Sequence, residues 1–99
     1  MAKKRRYHPL VANDLSSAAE YYDGISVELG KRFRASVRNR LHAVSARHES
    51  FAVIHDQMRA VLFDRFPYVL IFEDHADSVA ILGIFHAASD QQGWFTRSY

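Results

Sequence analysis

The side chains in this chain that could do chemistry are arginines, histidines and a few aromatics, set around a run of apolar segments. Arg59 and Arg65 stand at either end of the segment Met58–Phe63. A guanidinium forks onto phosphate or carboxylate oxygens, so the pair reads as contacts to phosphate or to an acidic partner, or as ordinary strand-surface charge. His86 closes the segment Val79–His86. It could give or take a proton near neutral pH, or simply hydrogen-bond at a sheet margin. Tyr68 follows Pro67 and reads as a packing residue with its hydroxyl at the rim. Lys31, Arg34, Arg38 and His42 recur at three- and four-residue spacing on one helical face. Such a stripe suits a nucleic-acid backbone or is a solvated face. In the tail, Trp94 reads as an anchor or a target contact, and Arg97 lies close behind it.

Several chemistries are excluded by type. There is no cysteine, so disulfides, thiolate metal sites and cysteine nucleophiles are absent. His8, His48, His55 and His75 fall at no metal-ligand spacing, and there is neither a glycine-rich phosphate loop nor a nucleophile elbow. The expectation is no metal and no cofactor. Ten of the thirteen cations are arginine, concentrated in the first half, although the net charge is only +2. Basic surface of this kind fits nucleic acid or an acidic protein segment, or serves solubility. The length predicts one domain spanning residues 1–99 with a modest core. No apolar run reaches the roughly 18 residues of a membrane span, and the basic start lacks the apolar segment of a signal peptide. A cytoplasmic protein is expected.

These residues need elements to position them. Met58–Phe63, Tyr68–Phe72 and Val79–His86 have the composition and length of strands. Asp64–Pro67 and Asp74–Asp77 carry turn chemistry between them, which predicts a three-stranded antiparallel meander. Upstream, Val11, Leu15, Ala18, Tyr22 and Ile25 form an apolar helical stripe that starts behind Pro9 and stops near Asp23-Gly24. Ser26 then caps a second helix whose stripe is Leu29, Phe33, Val37, Leu41, Val44 and His48. Gly30 inside it costs roughly 1 kcal/mol relative to alanine, which a close crossing of the two helices would explain. Arg5–His8 is a short edge strand, Glu49–Gln57 has no clear period, and the tail from Ala87 to Tyr99 reads as irregular. The expected fold class is α+β in two layers: short N-terminal strand, antiparallel helix hairpin, then the meander (β-α-α-β-β-β).

A helix pair covers only one face of a sheet. Simple alternation along the last strand sends Val79, Ile81 and Phe85 one way and Ala80, Leu82 and Ile84 the other. Both faces are therefore apolar, where a solitary one-sided sheet would be polar on its outer face. Either the tail folds across that outer face or another chain does.

The ordered set of residues resembles the RelE/ParE superfamily of type II toxin–antitoxin toxins, also called plasmid stabilisation proteins. Tyr7-His8-Pro9, Asp14-Leu15, Ala18 to Tyr22, Ile25-Ser26, Leu29-Gly30 and Arg32-Phe33 carry it in the first half. Arg65-Phe66-Pro67-Tyr68, Val69 to Phe72, Val79 to His86, Asp90, Trp94 and Arg97 carry it in the second. The resemblance implies a growth inhibitor neutralised by a cognate antitoxin. Homodimers or toxin–antitoxin hetero-oligomers are further possibilities. ParE-like members inhibit DNA gyrase by protein contact, whereas RelE-like members cut messenger RNA on the ribosome.

One departure separates the branches. Many members carry arginine after the last-strand histidine, but here His86 is followed by Ala87-Ala88-Ser89-Asp90. Ribonuclease chemistry needs an acid, a base and cations converging on one phosphate. The residues on offer are Arg59, Arg65 and His86, with Tyr68 or Arg97, a thin set that favours the ParE-like reading. Tyr68, Trp94, Arg97, Lys31, Arg34 and Arg38 then become target or partner contacts. The alternatives are the endoribonuclease and a non-toxic binding module that keeps the fold.

Overall fold

In the computed structural model, which describes residues 2–98, the expected turns fall between strands. The order is β1 (Lys4–Tyr7), α1 (Val11–Ile25), α2 (Val27–Arg47), a 3-10 turn (His48–Ser50), β2 (Val53–His55), β3 (Met58–Leu62), β4 (Tyr68–Asp74), β5 (Ser78–His86) and α3 (Gln91–Phe95). The strands make one sheet in the order β1-β5-β4-β3-β2. Its centre is the antiparallel meander β3-β4-β5. β1 joins the β5 edge in parallel, and β2 pairs antiparallel with β3. The α+β two-layer class stands.

The helix hairpin forms where its caps and stripe direct it. Ser26 has extended backbone and its Oγ accepts from the Leu29 N–H at 3.0 Å, so it both ends α1 and starts α2. Val11, Ala18, Ala19 and Tyr22 of α1 and Phe33, Val37 and Val44 of α2 are buried against Val61, Leu70, Phe72 and Ile81 of the sheet. Phe33 is fully buried and touches Tyr22, Phe63, Phe66 and Tyr68 ring to ring. Burial of one such side chain stabilises the fold by roughly 2–3 kcal/mol. The reason for Gly30 is the Asp23 carboxylate of α1. A β-carbon at position 30 would overlap Asp23 Oδ1; Arg34 holds the carboxylate there with one hydrogen bond to each oxygen, at 2.9 Å to Oδ1 and 2.7 Å to Oδ2.

Four details differ from the sequence reading, each for a local reason. α1 runs through Asp23-Gly24 to Ile25, because the extended Ser26 and not the glycine breaks it. β2 occupies part of the stretch that showed no period; three residues are too few to display one. Asp56, with φ of 49°, makes the turn from β2 into β3, a left-handed conformation that aspartate tolerates. The tail is not wholly irregular: Asp90 Oδ1 accepts from the Gln92 N–H at 3.0 Å and opens α3.

The fourth difference changes what faces what. Ile71 pairs with Gly83 but Phe72 pairs with Ile81, so Leu82 is an extra residue in β5. Such a bulge shifts the alternation by one. Ile84 consequently joins Val79 and Ile81 under the helices, while Phe85 joins Ala80 and Leu82 on the outer face, reversing the sequence assignment of those two residues.

Candidate functional site

The outer face of the sheet holds Met58, Val69, Ile71, Ala80 and Leu82, all buried. Much of their cover comes from the chain's own tail. Trp94 is 6% exposed, stacks on Phe85 with ring centroids 5.8 Å apart, and donates from Nε1 to Ser89 Oγ at 2.9 Å. Phe95 stacks on His55 at 4.4 Å and so reaches across to β2. The cover is incomplete. Between α3 and the β2–β3 hairpin runs a groove of about 580 Å³. Ile54, Ala60, Leu62, Val69, Trp94 and Phe95 form most of its wall, with Gln91 as its polar member. Leu62 is 69% exposed and Ile54 38%.

Among the described residues no acid, base or cation lines this groove. Its lining is suited to an apolar surface and not to moving a proton or holding a phosphate. Of the two covers that the apolar outer face called for, the tail supplies one over β4 and β5. The Leu62 end of β3 is left open.

The tail is fixed by a second set of contacts. β1 is paired with β5 as far as Tyr7 opposite Ile81. Beyond that point polar groups of β5 find side-chain partners in place of a strand. Asp14 Oδ2, from α1, accepts from the Ile84 N–H at 3.1 Å, and Arg97 donates to Leu82 O at 3.1 Å. Arg97 and Asp14 also pair with one another, and the Arg97 guanidinium lies 4.6 Å from the centre of the Phe85 ring. Gly83 leaves the room: a β-carbon there would stand 2.6 Å from both Arg97 Nη1 and the Phe85 ring.

Of the residues singled out in the sequence, Tyr68 meets His86, and Trp94 and Arg97 share the Phe85 ring; the others are dispersed. Arg59 points into the helix side, where it donates to Phe51 O at 2.6 Å and lies 4.0 Å from Asp74. His86 is at the other end of the sheet, paired with Tyr68, its ring 5.2 Å from the Tyr68 ring and its Nδ1 accepting from the Ala88 N–H at 3.1 Å. Arg59 is opposite Phe72 and His86 opposite Tyr68, which by strand geometry puts their Cα atoms roughly 16 Å apart. Arg65 is exposed in the β3–β4 turn and lines a different groove against α2. Tyr68 packs on Tyr22 and Phe33; burial, then the nearby Tyr21, pushes its hydroxyl pKa up, so the phenol stays protonated. Lys31 and Arg38 are exposed on α2, and Arg34 is engaged by Asp23. Among the described residues no three His, Asp or Glu side chains gather as a metal site would require.

Two arrangements of charged side chains were not visible in the sequence. One is the use of Asp14 as a partner for β5, since the residue sits among polar neighbours in a helix. The other is a charged cluster at the opposite end of the sheet. Asp74 accepts from Lys3 Nζ at 2.7 Å and meets His48 Nδ1 at 2.9 Å. Burial alone would push the Asp74 carboxyl up, but the hydrogen bonds and charges of Lys3 and His48 outweigh it and hold the carboxyl below its ordinary value. Residues 71 positions apart have no sequence signature for meeting.

Comparison with known proteins bears on the fold. No family model matches the chain. None of the curated proteins matches it either. Among solved structures, a chain of the chromosomal ParDE TA (toxin–antitoxin) system from P. aeruginosa superposes with a TM-score of 0.69 at 16% identity, over 86% of this chain and 96% of that one. The two chains share a fold. The RelE/ParE-type fold implied by the sequence resemblance is thus the fold observed, and the ParDE chain is matched over nearly its whole length. Among the described residues no helix is long and apolar enough to cross a membrane.

Proposed function

We propose that this chain is the toxin of a type II toxin–antitoxin pair: a cytoplasmic growth inhibitor silenced by a cognate antitoxin seated in the groove beside α3. It acts by protein contact, with DNA gyrase as the target, in the ParE-like manner. The observation that carries the proposal is the groove itself. Exposed Leu62 and Ile54 beside buried Trp94 offer an apolar seat on a fold shared with a ParDE chain, and no titratable group among the described residues lines it. The separation of Arg59 from His86 and the hydrogen bonding of Arg59 to backbone carbonyls favour contact over phosphoryl chemistry.

The test is inducible expression in a bacterial host, with and without the product of the neighbouring reading frame. The expected result is growth arrest with a DNA-damage response, relieved by the neighbour. Arrest with immediate loss of translation and cleaved message would move the function to the ribosome-dependent endoribonuclease. Unrestricted growth would leave a binding module.

A further inference from the structure

We infer that a second groove, on the helix side between α2 and the β3–β4 turn, recognises an acidic peptide segment that carries a bulky apolar side chain. It has a volume of about 480 Å³. Arg32, Ser36 and Arg40 project along it from successive turns of α2, and Arg65 closes it from the turn. Its floor is apolar: Leu29 and Phe66, both half-buried against the core.

Charge decides the class of partner. Three guanidiniums face this groove against one carboxylate, that of Asp64. The counterions already present are loosely held. Arg40, largely buried and also donating to Asn39 Oδ1 at 2.9 Å, reaches the 78% exposed Asp64 only at 3.4 Å, and Arg32 reaches Glu28 at 3.5 Å with both side chains largely exposed. Long pairs with an exposed carboxylate contribute little and exchange readily for a better-placed one. Among the described residues Arg65 has no ion-pair partner. A phosphate backbone would satisfy the arginines but leave the Leu29–Phe66 floor unused and meet Asp64 on the rim. A peptide uses all of it: carboxylates on the arginines, an apolar side chain on the floor, and backbone amides on Ser36, Asn39 and Asp64. This inference is independent of the toxin reading, since it concerns the other face of the molecule.

The experiment uses the whole chain and a fluorescein-labelled synthetic peptide in which glutamates flank one leucine, followed by fluorescence anisotropy at physiological ionic strength. Binding is expected, with amide shift changes in NMR at Leu29, Ser36 and Phe66. Arg65→Glu or Arg32→Glu should weaken it about tenfold or more, and so should replacing the peptide's leucine with serine. Arg6→Glu, an exposed β1 change outside the groove, should alter it less than about twofold. Circular dichroism confirms that each variant is folded. The inference is overturned by absence of binding, by equal losses from Arg65→Glu and Arg6→Glu, or by indifference to the leucine. Tighter binding of a single-stranded oligonucleotide at the same NMR-shifted residues would overturn it in favour of nucleic acid.

Discussion

Asp14 and Arg97, 83 positions apart, form an ion pair in which the same carboxylate oxygen takes the Ile84 amide proton. One contact thus ties α1, the open edge of β5 and the C-terminal tail together. Both side chains are largely buried, at 13% and 15% exposed. Removing one partner strands the other, and Asp14→Ala is expected to cost about 2–3 kcal/mol in urea unfolding. Asp14→Asn keeps an acceptor for Ile84 and should cost less. A double-mutant cycle with Arg97→Ala should return a coupling of about 1–2 kcal/mol; additive losses would mean the pair does not act as a unit.

Gly83 gives the same contact a second test. Alanine there cannot coexist with Arg97 and Phe85 where they stand. Gly83→Ala should therefore loosen the tail selectively, seen as a red shift of Trp94 emission with the helix content unchanged. Unshifted emission would show that Arg97 moves aside without consequence.

Acid should weaken the Lys3–Asp74–His48 cluster. The Asp74 carboxyl is held below its unfolded value, which is about 3.9. Its stabilising contribution is thus fully present above that pH and is lost as pH falls through the lower folded value. In Asp74→Asn the acid limb of the stability–pH curve should be flatter than in the parent. Superimposable curves would remove the linkage.

The open groove predicts a split between stability and binding. Leu62 is 69% exposed, so Leu62→Glu should change stability by less than about 0.5 kcal/mol. The same change places a charge in an apolar seat and should abolish co-purification with the neighbouring gene product. Trp94→Ala, in contrast, should cost about 3 kcal/mol, because the side chain is buried on the sheet. Retained co-purification with Leu62→Glu would remove this groove as the seat of the neighbouring gene product.

What the sequence disclosed follows the range of the interactions involved. Helix stripes, the Ser26 cap and the meander depend on neighbours within a few positions, and they were legible. The reason for Gly30 was half legible: a close crossing was expected, but that Asp23 makes it was not. The bulge at Leu82 was hidden because it arises from pairing with β4, and it exchanged the faces of Ile84 and Phe85. The site was less legible. Arg97, read as a target contact, has its guanidinium engaged by Asp14 and Leu82, whereas Trp94 is buried over Phe85 in the way the anchor reading expected. The groove beside α3 needs β2 and α3, two elements too short to give a pattern.

The most direct measurement is DNA supercoiling by purified gyrase with the purified chain added to saturation. Loss of supercoiling, restored when the neighbouring gene product is added, is the result expected of a contact inhibitor. Full supercoiling at saturation, with message cut on translating ribosomes by the same preparation, would contradict it.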